Sequence, residues 1–188
     1  FGDDLLDFGP NLEGTSIGLT VPTYVEIDSI AELNDHAAEF NHEITGIDPG
    51  AGIMTATELA VDVYDLDLDL IDSSDASMMA ALDRAVSRGD WIVITGWEPH
   101  WMWVAYDLKY LEDPEGAYGE AGNVHTIVNP DFADSAPADL LALIDGFYWT
   151  SEDMGEVMLA IHDDGLDPWD AARNWLEDNP EKVESWLE

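Results

Sequence analysis

The chain has no cysteine, so it offers neither a disulfide nor a thiol, and cysteine usage says nothing about its redox compartment. Positive charge is almost as scarce. Arg84, Arg88, Lys109, Arg173 and Lys182 stand alone against 42 Asp and Glu, a net charge of −37 over 188 residues. Nucleic acid and anionic lipid both demand basic stripes, and none can be assembled from five cations, so neither partner is expected. There is no run of eighteen apolar residues, and the first residue is Phe1 rather than a Met followed by a basic segment. No membrane span or signal peptide is therefore expected within this chain; any export signal or anchor would lie outside it. Internal repeats and low-complexity stretches are also lacking.

What is present is enough apolar material for a core. Apolar residues make up 46% of the chain and eight are Trp, so the acid does not imply disorder. The acids are spread along the chain rather than gathered in a tail. Such a surface repels itself in dilute buffer and needs counter-ions, and the screening length shrinks to roughly 3 Å near 1 M salt. A high-salt habitat accounts for this better than a docking face for a basic partner, which would concentrate the acids in one patch.

Strand and helix signals alternate through the first two thirds. Ile17 to Val21 reads as a short strand closed by Pro22, and Ser29-Ile30-Ala31-Glu32 as a capping box opening a helix toward Phe40. Ile44 to Ile47 reads as a buried strand running into Asp48-Pro49-Gly50-Ala51-Gly52, after which Ile53, Ala56, Leu59, Ala60 and Val63 recur at helical spacing. Leu68 to Ile71 gives another strand, Ser74 or Asp75 caps a helix, and Trp91 to Thr95 gives a third strand. This alternation implies an α/β fold with a mostly parallel sheet. Trp101 to Tyr110 reads as alternating strand, and His125 to Val128 as one more. Beyond Pro130 the pattern is helical: Ala136 to Ile144, a helix led by Trp149-Thr150, and two helices opened by Asp167-Pro168 and Asn179-Pro180.

Two places point to chemistry. At Gly46 to Met54 a strand ends in a glycine turn and a helix begins at once, so backbone N–H groups near Gly52 and Ile53 suit an anion such as a carboxylate. An ordinary βα turn is the simpler reading of the spacing, which matches neither the P-loop nor the dinucleotide fingerprint. The second place is Thr95-Gly96-Trp97-Glu98-Pro99-His100-Trp101-Met102-Trp103, directly after a strand, where α/β sheets bind ligands. Trp101 and Trp103, two apart on a strand, read as core. Trp97 reads as an exposed turn residue, and an exposed aromatic face attracts a quaternary ammonium group by roughly 2 kcal/mol or more when desolvated. Together the two sites suggest a zwitterion.

The stretches Ile44 to Met54, Thr95 to Met102, Tyr106 to Pro114, Trp149 to Met158 and Asn179 to Leu187 closely resemble the extracytoplasmic glycine betaine-binding proteins of ABC importers. The resemblance covers nearly the whole chain and corresponds to the C-terminal part of that family. It implies a periplasmic-binding-protein-like (type II) fold, in which two α/β lobes close on the ligand, an aromatic cage holds the trimethylammonium group and backbone amides hold the carboxylate. Carried onto this chain, Trp97 would be a cage wall and Gly52 and Ile53 would offer amides, with Pro99 and His100 of the same motif as further ligand-binding candidates. It implies residues 17–122 as the ligand-binding lobe, 1–16 as the segment leading into it, and 123–188 as helices of an incomplete first lobe. Implied partners are glycine betaine or a related quaternary ammonium solute, an ABC transporter permease, and a missing N-terminal lobe segment or a second copy of the chain. The implied location is extracytoplasmic.

Other readings remain open. Glu98 and His100 could be read as an acid and a base, but no nucleophile stands beside them, and an enzyme is not expected. His36 and His42 read as surface positions, and no histidine spacing points to a metal. No cofactor is expected. A lobe with a purely interacting or structural role is the alternative to a solute binder.

Overall fold

The computed structural model describes residues 5–187, in which the chain divides into two units by its contacts. A sheet unit comprises Ser16–Glu98 and Ala105–Ala121; a helical unit comprises the described residues of Phe1–Thr15 and Gly122–Glu188 together with Pro99–Val104.

In the sheet unit, three short parallel neighbours, β3 (Asp69–Ile71), β2 (Glu43–Thr45) and β4 (Ile94–Glu98), lie in that order. Beyond β4 come the last residues of β1 (Leu6–Pro22) and then β5 (Leu108–Tyr110), both pairings antiparallel. The sheet is thus mixed. Its parallel part is the βαβ region built around α1 (Gly52–Val63) and α2 (Asp75–Arg88), as strand-helix alternation requires. Leu19, Val21, Ile30, Leu33, Phe40, Ile44, Leu68 and Val93 form one buried core cluster.

Local signals explain where these elements start. Ser29 caps a 3-10 helix (Ile30–His36) in a capping box, with Glu32 Oε2 accepting from the Ser29 amide at 2.9 Å. That helix stops short of Phe40, and the chain turns at Asn41 and His42, both with positive φ. Ser74 caps α2 by accepting from the Ser77 amide, and Gly89 ends α2 in the left-handed conformation that glycine adopts without strain.

The helical unit contains the first part of β1 paired antiparallel to β6 (Gly122–Val128), from Leu6 opposite Val128 to Thr15 opposite Gly122. The expected short strand at Ile17 to Val21 is therefore the end of a 17-residue strand. Gly9-Pro10 and Gly14 fall at register shifts, where the extra residues are absorbed as bulges.

Residues Trp101 to Tyr110 are not one strand: α3 (Met102–Ala105) precedes β5, and the Met102 amide is taken by His100 Nδ1 at 3.1 Å. Trp101 is buried and Trp103 half-buried, so their burial does not come from a shared strand face. Five helices follow: α4 (Pro130–Ser135), α5 (Ala138–Gly146), α6 (Ser151–Asp163), α7 (Pro168–Asp178) and α8 (Pro180–Ser185). Thr150 and Asp167 cap α6 and α7 as their sequence context suggests. Asn179 does not cap α8, because its side-chain amide donates instead to the Trp175 carbonyl at 2.8 Å. Among the described residues no helix is long and apolar enough to cross a membrane, and no group of three or more acids or histidines is placed to hold a metal ion.

Candidate functional site

Strands β2 and β4 are adjacent and parallel, with Thr45 level with Ile94. Their C-terminal ends therefore point the same way. β2 runs on through the Gly46–Ala51 turn into α1, while β4 continues through Gly96 and Trp97. This brings the start of α1 and the Trp97 stretch to the same end of the parallel sheet, the end at which open α/β sheets bind ligands.

The turn has the residues its geometry needs. A Cβ at Gly46 would meet Met54 Sδ at 2.6 Å and the Ile71 carbonyl oxygen at 3.0 Å, so glycine lets the turn lie this close to α1 and β3 without displacing Met54. Gly50 has φ +113°, a conformation that other residues avoid. The Gly46 amide donates to the Ile71 carbonyl at 2.9 Å, and Ser73 Oγ donates to the Gly46 carbonyl at 2.8 Å, which ties the turn to the end of β3.

Helix α1 then starts differently from α2, α6 and α7. Their N-caps, Ser74, Thr150 and Asp167, each accept a hydrogen bond from the first turn, whereas Ala51 brings no side-chain acceptor. The first N–H groups of any helix lack intrahelical partners. At α1 they belong to Gly52 and Ile53, and the space around Gly52 is open, with nothing within 4 Å of where a Cβ would stand. Gly52 is exposed and Ile53 buried.

A hydrogen-bonded chain that the residue pattern did not reveal holds this turn from behind. Buried Thr57 Oγ1 donates to the Ile53 carbonyl at 2.8 Å and accepts from Tyr118 Oη at 2.9 Å. The Tyr118 amide donates to Asp113 Oδ2 at 2.8 Å, and Tyr64 Oη donates to Asp113 Oδ1 at 2.6 Å. Burial alone would raise the Asp113 carboxyl, but donors from Tyr64 and from the amides of Tyr118, Ala117 and Gly116 outweigh it and hold it below the usual carboxylate range. Burial, the hydrogen bond to Asp113 and the nearby negative charge push the Tyr64 phenol up to about 12. Thr57, four residues after Ile53, is the only part of this chain with a local signal, since helical threonines commonly donate to the i−4 carbonyl.

Trp97 is not in a turn. It is part of β4, opposite Ile17 in β1, and is half-buried. Alternation along the strand puts Glu98 on the opposite face from Trp97 and on the same face as Tyr110. Tyr110 covers Gly18, whose missing side chain makes room for the ring, and its phenol donates to the Ser16 carbonyl at 3.2 Å. Burial raises both the Glu98 carboxyl and the Tyr110 phenol, the latter further raised by the Glu98 charge.

Trp97, Gly52 and Ile53 thus share the sheet unit, whereas Pro99 and His100 belong to the helical unit. There His100 is buried, its ring is tilted against Trp101, and Trp101 stacks on His162 with centroids 3.9 Å apart. With Nδ1 accepting the Met102 amide, the neutral ring carries its proton on Nε2.

Residues 2–178 match the family described as the substrate binding domain of ABC-type glycine betaine transport systems. The glycine betaine/carnitine transport binding protein GbuC of Listeria monocytogenes serotype 1/2a is 46% identical over 157 residues, which are 82% of this chain and 52% of that protein. The crystal structure of lactococcal OpuAC, closed and complexed with glycine betaine, is 42% identical with a TM-score of 0.80, over 100% of this chain and 73% of that one. An ABC-transporter choline binding protein in complex with choline is 31% identical with a TM-score of 0.75, over 99% of this chain and 67% of that one. The relatives are binding proteins rather than enzymes, and this chain spans about half the length of GbuC. On the strength of the family match and these identities, the chain belongs to the substrate-binding domains of ABC-type glycine betaine transport systems.

Proposed function

We propose that this protein is the solute-binding component of an ABC importer, working outside the cytoplasmic membrane with a transporter permease, and that it captures glycine betaine or a related quaternary ammonium solute. The observation that carries this reading is the placement of Trp97 and the uncapped start of α1 at the same end of adjacent parallel strands. An indole face attracts a methylated ammonium, which cannot form hydrogen bonds, and two backbone N–H groups at a helix N-terminus attract a carboxylate. A betaine carries both groups. The relatives are described with glycine betaine, carnitine and choline, which share the quaternary ammonium and differ at the other end. That common feature favours Trp97 as the shared contact.

Calorimetric titration of glycine betaine and choline into the wild type and Trp97→Ala tests the reading. A cation–π contact of about 2 kcal/mol corresponds to roughly 30-fold in affinity. Both ligands are expected to weaken by that order in Trp97→Ala. Equal affinity in the two proteins would remove Trp97 from the site, and no binding of either ligand by the wild type would favour an interacting or structural role instead.

A further inference from the structure

Three of the chain's five cations are spent on neighbouring acids. Lys109 Nζ meets Asp28 Oδ1 at 2.6 Å, Arg173 lies 3.8 Å from Asp170, and Lys182 pairs with Asp153. Arg84 and Arg88 are left, and among the described residues neither makes an ion pair. They stand four residues apart toward the C-terminal end of α2, so they share a helix face, and both line one pocket of about 220 Å³ in the sheet unit. Like charges at this spacing repel each other. The α2 macrodipole accounts for a cation in the last turn, which is Arg88, but not for two guanidinium groups facing a common pocket on a chain with 42 acids.

The rest of the pocket supplies both donors and acceptors. Asn41 adds a side-chain amide and Thr45 a hydroxyl, while Glu43 and Asp90 add carboxylates. Phe40 and Trp91, whose ring centroids are 5.3 Å apart, form an aromatic wall. The backbone at Asp90 is fixed on both sides: its carbonyl accepts from Tyr24 Oη at 2.7 Å, and its amide donates to the Ala85 carbonyl at 3.0 Å. Two arginines against two acids leave the pocket formally neutral. Guanidinium forks bind oxyanions bidentately. The carboxylates accept hydrogen bonds but repel a fully ionised guest, so they favour an oxyanion that still carries a proton to donate. Phosphate near neutral pH is such a group, and sulfate is not.

We propose that this pocket is a binding site for hydrogen phosphate, free or as a monoester, with Arg84 and Arg88 gripping its oxygens and Glu43 or Asp90 accepting its proton. The site lies beside the start of β4, whereas Trp97 lies toward the far end of that strand. It therefore stands apart from the proposed quaternary ammonium site and does not depend on it. A guest held there would bind the end of α2 to the residues that open β2 and lead into β4, and so would stabilise the sheet unit in proportion to its concentration.

Calorimetric titration of inorganic phosphate, glycerol phosphate and sulfate at about pH 6 and constant KCl tests the site, since a phosphate group retains a proton there. Saturable one-to-one binding of phosphate is expected, with sulfate at least about tenfold weaker. The affinity of glycerol phosphate relative to inorganic phosphate shows whether the site prefers the ester or the free ion. The variant carrying both Arg84→Lys and Arg88→Lys keeps the net charge and loses the bidentate forks, so phosphate should weaken about tenfold or more. Arg173→Lys, on α7, should bind as the wild type does. Glu43→Gln with Asp90→Asn should bring sulfate up toward phosphate, and circular dichroism checks that each variant is folded. No saturable binding by the wild type, equal phosphate affinity in the two-lysine variant, or sulfate binding as tightly as phosphate in the wild type would each overturn the proposal.

Discussion

Leu33, Ile44, Leu82 and Ile94 of the sheet unit are sealed from solvent, while the leucines and isoleucine of α5 in the helical unit, of the same residue types, are not. The sheet unit has helices and loops over its strands and a single buried cluster. The helical unit has more tryptophan and less closure. Apolar periodicity thus marks an apolar face without saying how deeply the chain buries it.

Salt should separate the two units most widely. Forty-two acids repel over about 10 Å in dilute buffer, and the unit with less buried apolar surface has less to set against that repulsion. As KCl is lowered from about 3 to 0.1 M, hydrogen exchange should release α5, α6 and α7 before β2 and β4. Simultaneous release, or protection indifferent to salt, would break the comparison and the salt-adaptation reading with it.

Core truncation should sharpen it. Leu82→Ala, in a fully buried position, should cost about 2–5 kcal/mol. Leu140→Ala, on α5 and 38% exposed, should cost only about 0.5 kcal/mol or less. Denaturant titration of both variants gives the difference, and equal costs would mean that α5 is buried after all.

A smaller effect, confined to the sheet unit, comes from the hydrogen-bonded chain behind α1. Tyr64→Phe should cost about 1–2 kcal/mol at neutral pH, since it removes a donor to a partly exposed carboxylate. The Tyr64 phenol is raised by folding, so its contribution is complete below the ordinary tyrosine value of 10.0 and lost as pH rises toward about 12. Asp113 is lowered by folding, so its contribution is present above the ordinary value of 3.8 and lost as pH falls below it. Stability of the wild type should fall at both extremes, and Tyr64→Phe should flatten the alkaline limb.

Much of the sheet unit is legible in the residues. Ser29 with Glu32, Ser74 and Gly89 mark helix ends by short-range chemistry, and the step from Ile44 through Gly50 to Ile53 marks strand, turn and helix. What escapes is non-local. The length of β1 depends on β6, more than a hundred residues away, which accommodates Gly9-Pro10 and Gly14 as bulges. Trp97 reads as a turn because Gly96 precedes it, yet pairing with Ile17 keeps it in the strand. Asn179 has the residue type of a cap but spends its side chain on Trp175, and the Tyr118–Thr57–Ile53 chain joins positions that no spacing rule connects. The grouping of Pro99 and His100 with the helical unit likewise follows from tertiary contacts.

Gly52→Pro offers a clean way to probe the anion-binding role assigned to α1. Gly52 is the first helical residue, where proline is favoured, the space around it is open, and Ala51 already has the extended backbone (φ −66°, ψ 142°) that proline requires before it. The substitution therefore deletes one N–H while preserving the helix. In parallel titrations, Gly52→Pro should weaken glycine betaine, whose carboxylate loses a donor worth about 1.5–3 kcal/mol, and leave choline, which has no carboxylate, close to its wild-type affinity. Unchanged glycine betaine affinity, or an equal loss for both ligands, would contradict the assignment of the carboxylate to the start of α1.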